Sequence, residues 1–220
     1  MGKVIMSGAC PLMTVPKAGT PLSAYAEGSI IKINENGSPV EFYVAKHNYE
    51  TELNGAGRTL VVRKDCYDTR EWSSSNENVY ATSAIDSWLN GDYKNLFGVS
   101  VSKAIGSTKF KYTPRYDSSV GILERAIFLL SVTELGRSAK YVNTEGSALS
   151  IASSLQIAYL NGSAVAQWTR SLSTSGPDTA VRLLSDGTVK STLISGSNGS
   201  RPCFTLPSTT KIDENGQVIE

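Results

Sequence analysis

The 220-residue sequence has one histidine, three scattered cysteines and no excess of either charge, and each scarcity removes a class of function. His47 stands beside an expected strand end with no serine or cysteine motif attached to it. It therefore reads as a surface or loop residue rather than a general base. A Gly-x-Ser-x-Gly elbow is absent, as is a phosphate-cradling glycine loop ahead of a helix. Cys10, Cys66 and Cys203 are odd in number and far apart, which gives neither a disulfide framework nor a zinc site. They read as small buried residues, in keeping with assembly in a reducing cytoplasm. Lysine plus arginine number 21 and aspartate plus glutamate 20, too even a balance for the footprint that nucleic acid or an anionic membrane requires. The longest apolar runs, such as Ala126–Val132, fall far short of the ~20 residues that span a bilayer. Pro11 and Pro16 interrupt any secretory leader. No EF-hand spacing occurs. The expectation is no catalytic residue, no cofactor, no metal, no nucleic-acid partner and no membrane insertion.

What is present is a foldable chain, 40% hydrophobic and 19% charged, enough for one large mixed domain. Residues 1–24 read as an arm, because Gly2, Gly8, Gly19, Pro11, Pro16 and Pro21 forbid a long regular element. Its apolar residues, Val4, Ile5, Met6, Leu12, Met13 and Val15, need burying either on a partner subunit or on the chain's own domain. Residues 25–220 form that domain. Ser29–Ile33 and Val40–Ala45 read as strands around Asn34-Glu35-Asn36-Gly37. The β-branched stretch Thr59–Val62 follows a turn at Asn54–Gly57, and Asp65–Asn78 reads as a loop. Thr82–Phe97 carries the clearest helix, with Ile85, Trp88 and Leu89 on one face and Asn90-Gly91 able to break it. Ile127–Val132 is a buried strand. Thr179–Leu184 and Thr188–Ile194 flank Ser185-Asp186-Gly187, a hairpin signal, while Ser171–Asp178 and Ser195–Ser200 are small and polar.

The charges of Asp65, Asp68 and Glu71 interleave with Arg63, Lys64 and Arg70, the pattern of a solvated loop rather than a calcium or glycosidase site. Trp88 and Trp168 read as core, with Arg170 held by backbone carbonyls or a carboxylate.

Three stretches carry a resemblance: Trp168-Thr169-Arg170-Ser171, Ala180-Val181-Arg182-Leu183-Leu184-Ser185-Asp186-Gly187, and Gly199-Ser200-Arg201-Pro202-Cys203-Phe204-Thr205-Leu206-Pro207. This order resembles a family of uncharacterised domains common in phages and prophages of gut Firmicutes. It is also similar to the formylglycine-generating-enzyme-like branch of the C-type lectin fold. Tyr80–Asn90 and Ile127–Gly136 match the same pattern, and Lys3–Gly8 is similar to the start of tail-associated phage proteins. The resemblance implies an α+β, C-type-lectin-like domain with a twisted antiparallel sheet, one main helix and a long irregular C-terminal half. The paired active-site cysteines of the enzyme branch and the calcium motifs of the carbohydrate-binding branch are both missing. What remains is similar to the diversified tip proteins made by diversity-generating retroelements, which carry a variable surface on their last strands and loops.

That surface falls on Ser173–Asn198, whose small polar residues suit adaptable hydrogen bonding. Val181, Leu183, Leu184 and Val189 face inward, and the candidate ligand-binding residues are Thr174, Asp178, Thr179, Arg182, Lys190, Thr192, Ile194 and Asn198. The implied role is a non-enzymatic virion protein, at a tail or fibre tip or as head decoration. Its arm would hold other virion subunits, as a homo-oligomer, and its C-terminal loops a host-surface glycan or protein. Two alternatives stay open: a purely structural decoration protein with an idle, solvated hairpin, and a hydrolase of cell-wall glycan.

Overall fold

Thr20–Pro21 (β1) pairs at once with the far end of the chain, at Lys211–Ile212, and Leu22 behind it is sealed in the core. The computed structural model describes residues 19–74 and 78–219. Most of the expected arm, residues 1–18, lies outside the described residues, while Thr20–Ala24 packs on the body.

Alternation then builds the first hairpin. Ile30–Glu35 (β2) and Ser38–His47 (β3) pair antiparallel around Asn36 and Gly37, whose φ angles of 51° and 78° suit a two-residue hairpin turn. Ile31, Ile33, Phe42 and Val44 are buried on one face. A single helical turn, Thr51–Asn54 (α1), leads to Arg58–Arg63 (β4), whose central Leu60, Val61 and Val62 are all buried, as in a strand covered on both faces. Asp68–Glu71 (β5) follows. The short helices Ala84–Trp88 (α2) and Val99–Ala104 (α3) precede the hairpin of Thr108–Tyr112 (β6) and Gly121–Arg125 (β7), then Ile127–Phe128 (β8). After Ala152–Leu155 (α4) come Ala158–Leu160 (β9), Ser163–Val165 (β10), Gln167–Leu172 (β11), Thr179–Leu183 (β12), Val189–Leu193 (β13), Ser197–Ser200 (β14), Cys203–Pro207 (β15) and Lys211–Ile212 (β16).

Two five-stranded sheets carry the fold, in the orders β2-β3-β4-β15-β8 and β13-β12-β11-β14-β5. Arg201, buried between β14 and β15, joins them. Its guanidinium donates to the carbonyls of Arg63 (2.8 Å), Lys64 (2.6 Å) and Leu155 (2.9 Å). Aromatic edges fill the first sheet's core, with Phe204 against Phe42 (5.5 Å) and Phe97 (5.2 Å). Each such ring contributes roughly 1.5–3 kcal/mol by burial.

The expected α+β, C-type-lectin-like fold is overturned. The structure is 38% strand and 17% helix, with open sheets. The longest α-helix among the described residues, α3, has six residues, and the C-terminal half expected to be irregular carries β9 to β16. The expected main helix over 82–97 is broken into α2, a π-turn at Leu89–Tyr93 and a 3-10 turn at Lys94–Leu96. Asn90 accounts for the break. Its Nδ2 donates to the Asp86 and Ile127 carbonyls (both 3.0 Å), and its Oδ1 accepts from Ala126 N (3.2 Å) and Ile127 N (3.1 Å). The side chain thus pairs with β8 like a strand, which pulls the helical backbone out of register. The stretches read as polar loops at 65–78 and 195–200 contain β5 and β14, which pair with each other.

Candidate functional site

Two polar assemblies stand out, one sealed in the core and one along a face of the second sheet. The sealed one centres on Arg170 of β11. Nη1 donates to Glu134 Oε2 (2.6 Å) and the Leu129 carbonyl (2.9 Å), Nε donates to the Lys111 carbonyl (3.0 Å), and the guanidinium lies over the Phe110 ring at 4.7 Å. The carbonyls and carboxylate expected to hold Arg170 are therefore in place. Tyr49 donates to Glu134 Oε1, and Ser131 N to Oε2 (2.9 Å). Glu145 accepts from Thr113 N (2.7 Å) and Ser171 Oγ (2.6 Å). Burial favours the neutral forms, raising Tyr49 and Glu145 above their ordinary ranges, while the Glu134 carboxylate lifts Arg170 despite its burial. Apart from Arg170 Nη2, which is buried without a hydrogen-bond partner, the donors and acceptors of this assembly meet backbone and core side chains, and its work is to fix the fold.

The second assembly is built by strand register. β12 and β13 pair Arg182 with Lys190 and Ala180 with Thr192. With a side-chain period of two, Arg182, Lys190 and Thr192 share one face. Trp168 on β11 stands opposite Arg182, buried, and its indole N–H donates to the Arg70 carbonyl (2.8 Å). On the next strands Asn198 faces Arg70, and Ser200 faces Asp68. Arg182 Nη1 donates to Asn198 Oδ1 at 2.6 Å. Arg70 pairs with Asp68, which also accepts from Ser200 Oγ, and the Arg70 guanidinium lies over the Trp88 ring, 3.2 Å from its centroid. The result is a row across five strands: Lys190, Arg182, Trp168, Asn198 and Arg70.

Half of the expected site residues meet here: Arg182, Lys190, Thr192 and Asn198. Thr179 points to the opposite face of β12. Ile194, expected to point outward, is 3% exposed, because the chain leaves β13 there and turns the Ile194 carbonyl to the backbone N–H of Trp72 (2.9 Å). Thr174 and Asp178 sit in the loop that Asn78 ties down through its Nδ2, away from the row. Among the residues expected to face inward, Val181 and Leu183 are buried, while Leu184 and Val189 are half-buried. Arg70, Asp68, Trp88 and Ser200 went unnoticed as members. The signal for two of them was the Asp68-x-Arg70 spacing, which puts both side chains on one face once the segment is a strand.

Other features lie apart from this row. His47 Nε2 donates to the Tyr25 carbonyl (2.8 Å), which can only accept, and Nδ1 lies within hydrogen-bond distance of the Thr59 hydroxyl (2.9 Å). A cleft of about 340 Å³ lies beside the β12–β13 turn, lined by Arg137, Ala139, Gly187 and Thr188. Another of about 240 Å³ is lined by Lys46, Asn48, Glu50, Glu52 and Lys111. Among the described residues, no three His, Cys, Asp or Glu side chains gather as metal ligands, and no helix is long and apolar enough to cross a membrane.

Residues 56–208 match the domain of unknown function DUF6273, which takes in the whole row. The chain belongs to this family. No curated protein and no solved structure matches it. In this DUF6273 domain the matched region runs from the start of β4 through β15, so it spans the central strands of both sheets.

Proposed function

We propose that the chain is a non-catalytic recognition domain of a bacteriophage virion that presents the Lys190–Arg182–Asn198 face to a host-surface ligand. One observation carries the reading: Lys190, Arg182 and the buried Asn198 stand on a single sheet face, with Trp168 on the strand between Arg182 and Asn198 and its indole bonded to β5. Rigid strands hold such side chains more narrowly than loops do, which favours recognition. The virion setting is supported by the likeness of the β11, β12 and β14–β15 sequences to phage and prophage domains.

The test uses the full chain, fluorescently labelled, on intact cells of a panel of gut Firmicutes, read by flow cytometry. Saturable binding to some strains, weakened by the Arg182→Ala/Lys190→Ala double variant, is the expected result. Absence of binding across the panel at micromolar concentration would remove the recognition role and leave the decoration reading.

A further inference from the structure

Lys190 and Arg182 stand directly opposite each other on β13 and β12, two cations on one face in the geometry where like charges repel. The acid beside this row, Asp68, is held by Arg70 and Ser200. Beside the cationic pair are two buried donors without partners, Arg182 Nε and Asn198 Nδ2. Asn198 as a whole is 3% exposed, so its unmet N–H groups carry a desolvation penalty in the free domain.

The amide orientation follows from chemistry. Arg182 can only donate, so Oδ1 must face Nη1, and Nδ2 is turned to the other side. A methyl group placed on Gly196 would lie 3.9 Å from Asn198 Nδ2 and 4.0 Å from Thr192 Oγ1. Both polar atoms therefore border Gly196 on its Cβ side, where the Leu193 carbonyl lies nearer still, 3.2 Å from the same methyl position. Since Nη1 is engaged with Asn198, the Nε side of the Arg182 guanidinium remains for a second acceptor.

We propose that Arg182, Asn198, Thr192 and Lys190 form a binding site for an oxyanion, the carboxylate of an acidic sugar or a phosphate group. Either source supplies two acceptor oxygens and a negative charge. One oxygen takes the Arg182 edge, the other the Asn198 amide and Thr192 hydroxyl, and the charge relieves the Lys190–Arg182 opposition. The inference rests on the recognition-face reading and names the chemistry that face selects.

The experiment is an NMR titration of the full chain, following the Asn198 side-chain amide and the Arg182 Nε–H, at constant ionic strength set with sodium chloride. Sodium glucuronate and inorganic phosphate are the two probes. A saturable shift of both signals supports the site. Response to glucuronate alone assigns an acidic sugar, and response to phosphate alone assigns a phosphate source. Arg182→Gln is expected to weaken binding by about tenfold or more. Lys190→Gln, at an exposed position, is expected to weaken it severalfold. Shifts that do not saturate, or an Asn198 amide indifferent to both probes, would overturn the proposal and leave a structural water as its partner. The readout is independent of cell binding. A chain that binds cells without answering either anion loses this inference alone, and one that binds anions but no cells loses the recognition role.

Discussion

Arg170 and Glu134 form an ion pair at 2.6 Å in which neither side chain is more than 1% exposed. Removing one partner leaves the other charged and unsatisfied in the core. We expect Glu134→Ala to destabilise the domain by about 3–5 kcal/mol. Replacing both residues with apolar ones of similar size, Glu134→Leu with Arg170→Met, should recover much of the loss. Urea midpoints of the single and double variants check this, and a double variant no better than the singles would contradict it.

Asp86 gives the fold a pH dependence of unusual sign. Burial raises its carboxyl to about 6, although the Arg125 guanidinium pulls it down. The folded-state value lies above the unfolded one, so folding favours the protonated acid. This contribution is full below the unfolded value, near 4, and is lost as pH rises through 6. The stability of the wild type relative to Asp86→Asn should therefore be greater at about pH 4 than at about pH 7. Unfolding at the two pH values measures the difference, and an increase toward neutral pH would contradict it.

Burial pushes the Cys66 thiol up to about 11 and places Cys203 well above the ordinary range, while Cys203 Sγ donates to the Phe128 carbonyl at 3.1 Å. Neither thiol offers a reactive thiolate near neutral pH. Alkylation of the native chain with iodoacetamide at about pH 8 should spare both until denaturant is added, as peptide mass mapping would reveal.

Gly199 has no room for a side chain. A Cβ there would meet Cys66 Sγ at 2.5 Å and the Ala166 carbonyl at 3.0 Å, beside the Gly199 N–H bond to that carbonyl. Gly199→Ala should cost about 1–3 kcal/mol by overpacking, with Cys66→Ala partly rescuing it. Thermal unfolding of the pair tests the coupling.

Local chemistry explains which elements the sequence made legible. The β2–β3 and β12–β13 hairpins could be read because alternation and turn residues act within a few positions, as at Asn36-Gly37 and Ser185-Asp186-Gly187. β14, Ser197–Ser200, has no β-forming side chain and is a strand because β11 and β5 hold it from either side. The break in the helix after Trp88 depends on Asn90 reaching a segment 37 residues away. Of the site, Arg182, Lys190 and Thr192 followed from hairpin register. Arg70 and Asp68 became members only through the long-range pairing of β5 with β14.

The position of β15 has a consequence for how the chain is made. This strand lies between β4 and β8, pairing Cys203 with Val62 on one side and with Phe128 on the other. A growing polypeptide that has emitted only its first 200 residues holds the two halves of that sheet without the strand between them. Phe42 and Val61 then lack the ring of Phe204, and the half-sheets expose open edges of the kind that invite aggregation. Cooperative folding on the ribosome must therefore wait until β15 has been made, and fragments ending before Cys203 should accumulate as insoluble material rather than as partly folded domains.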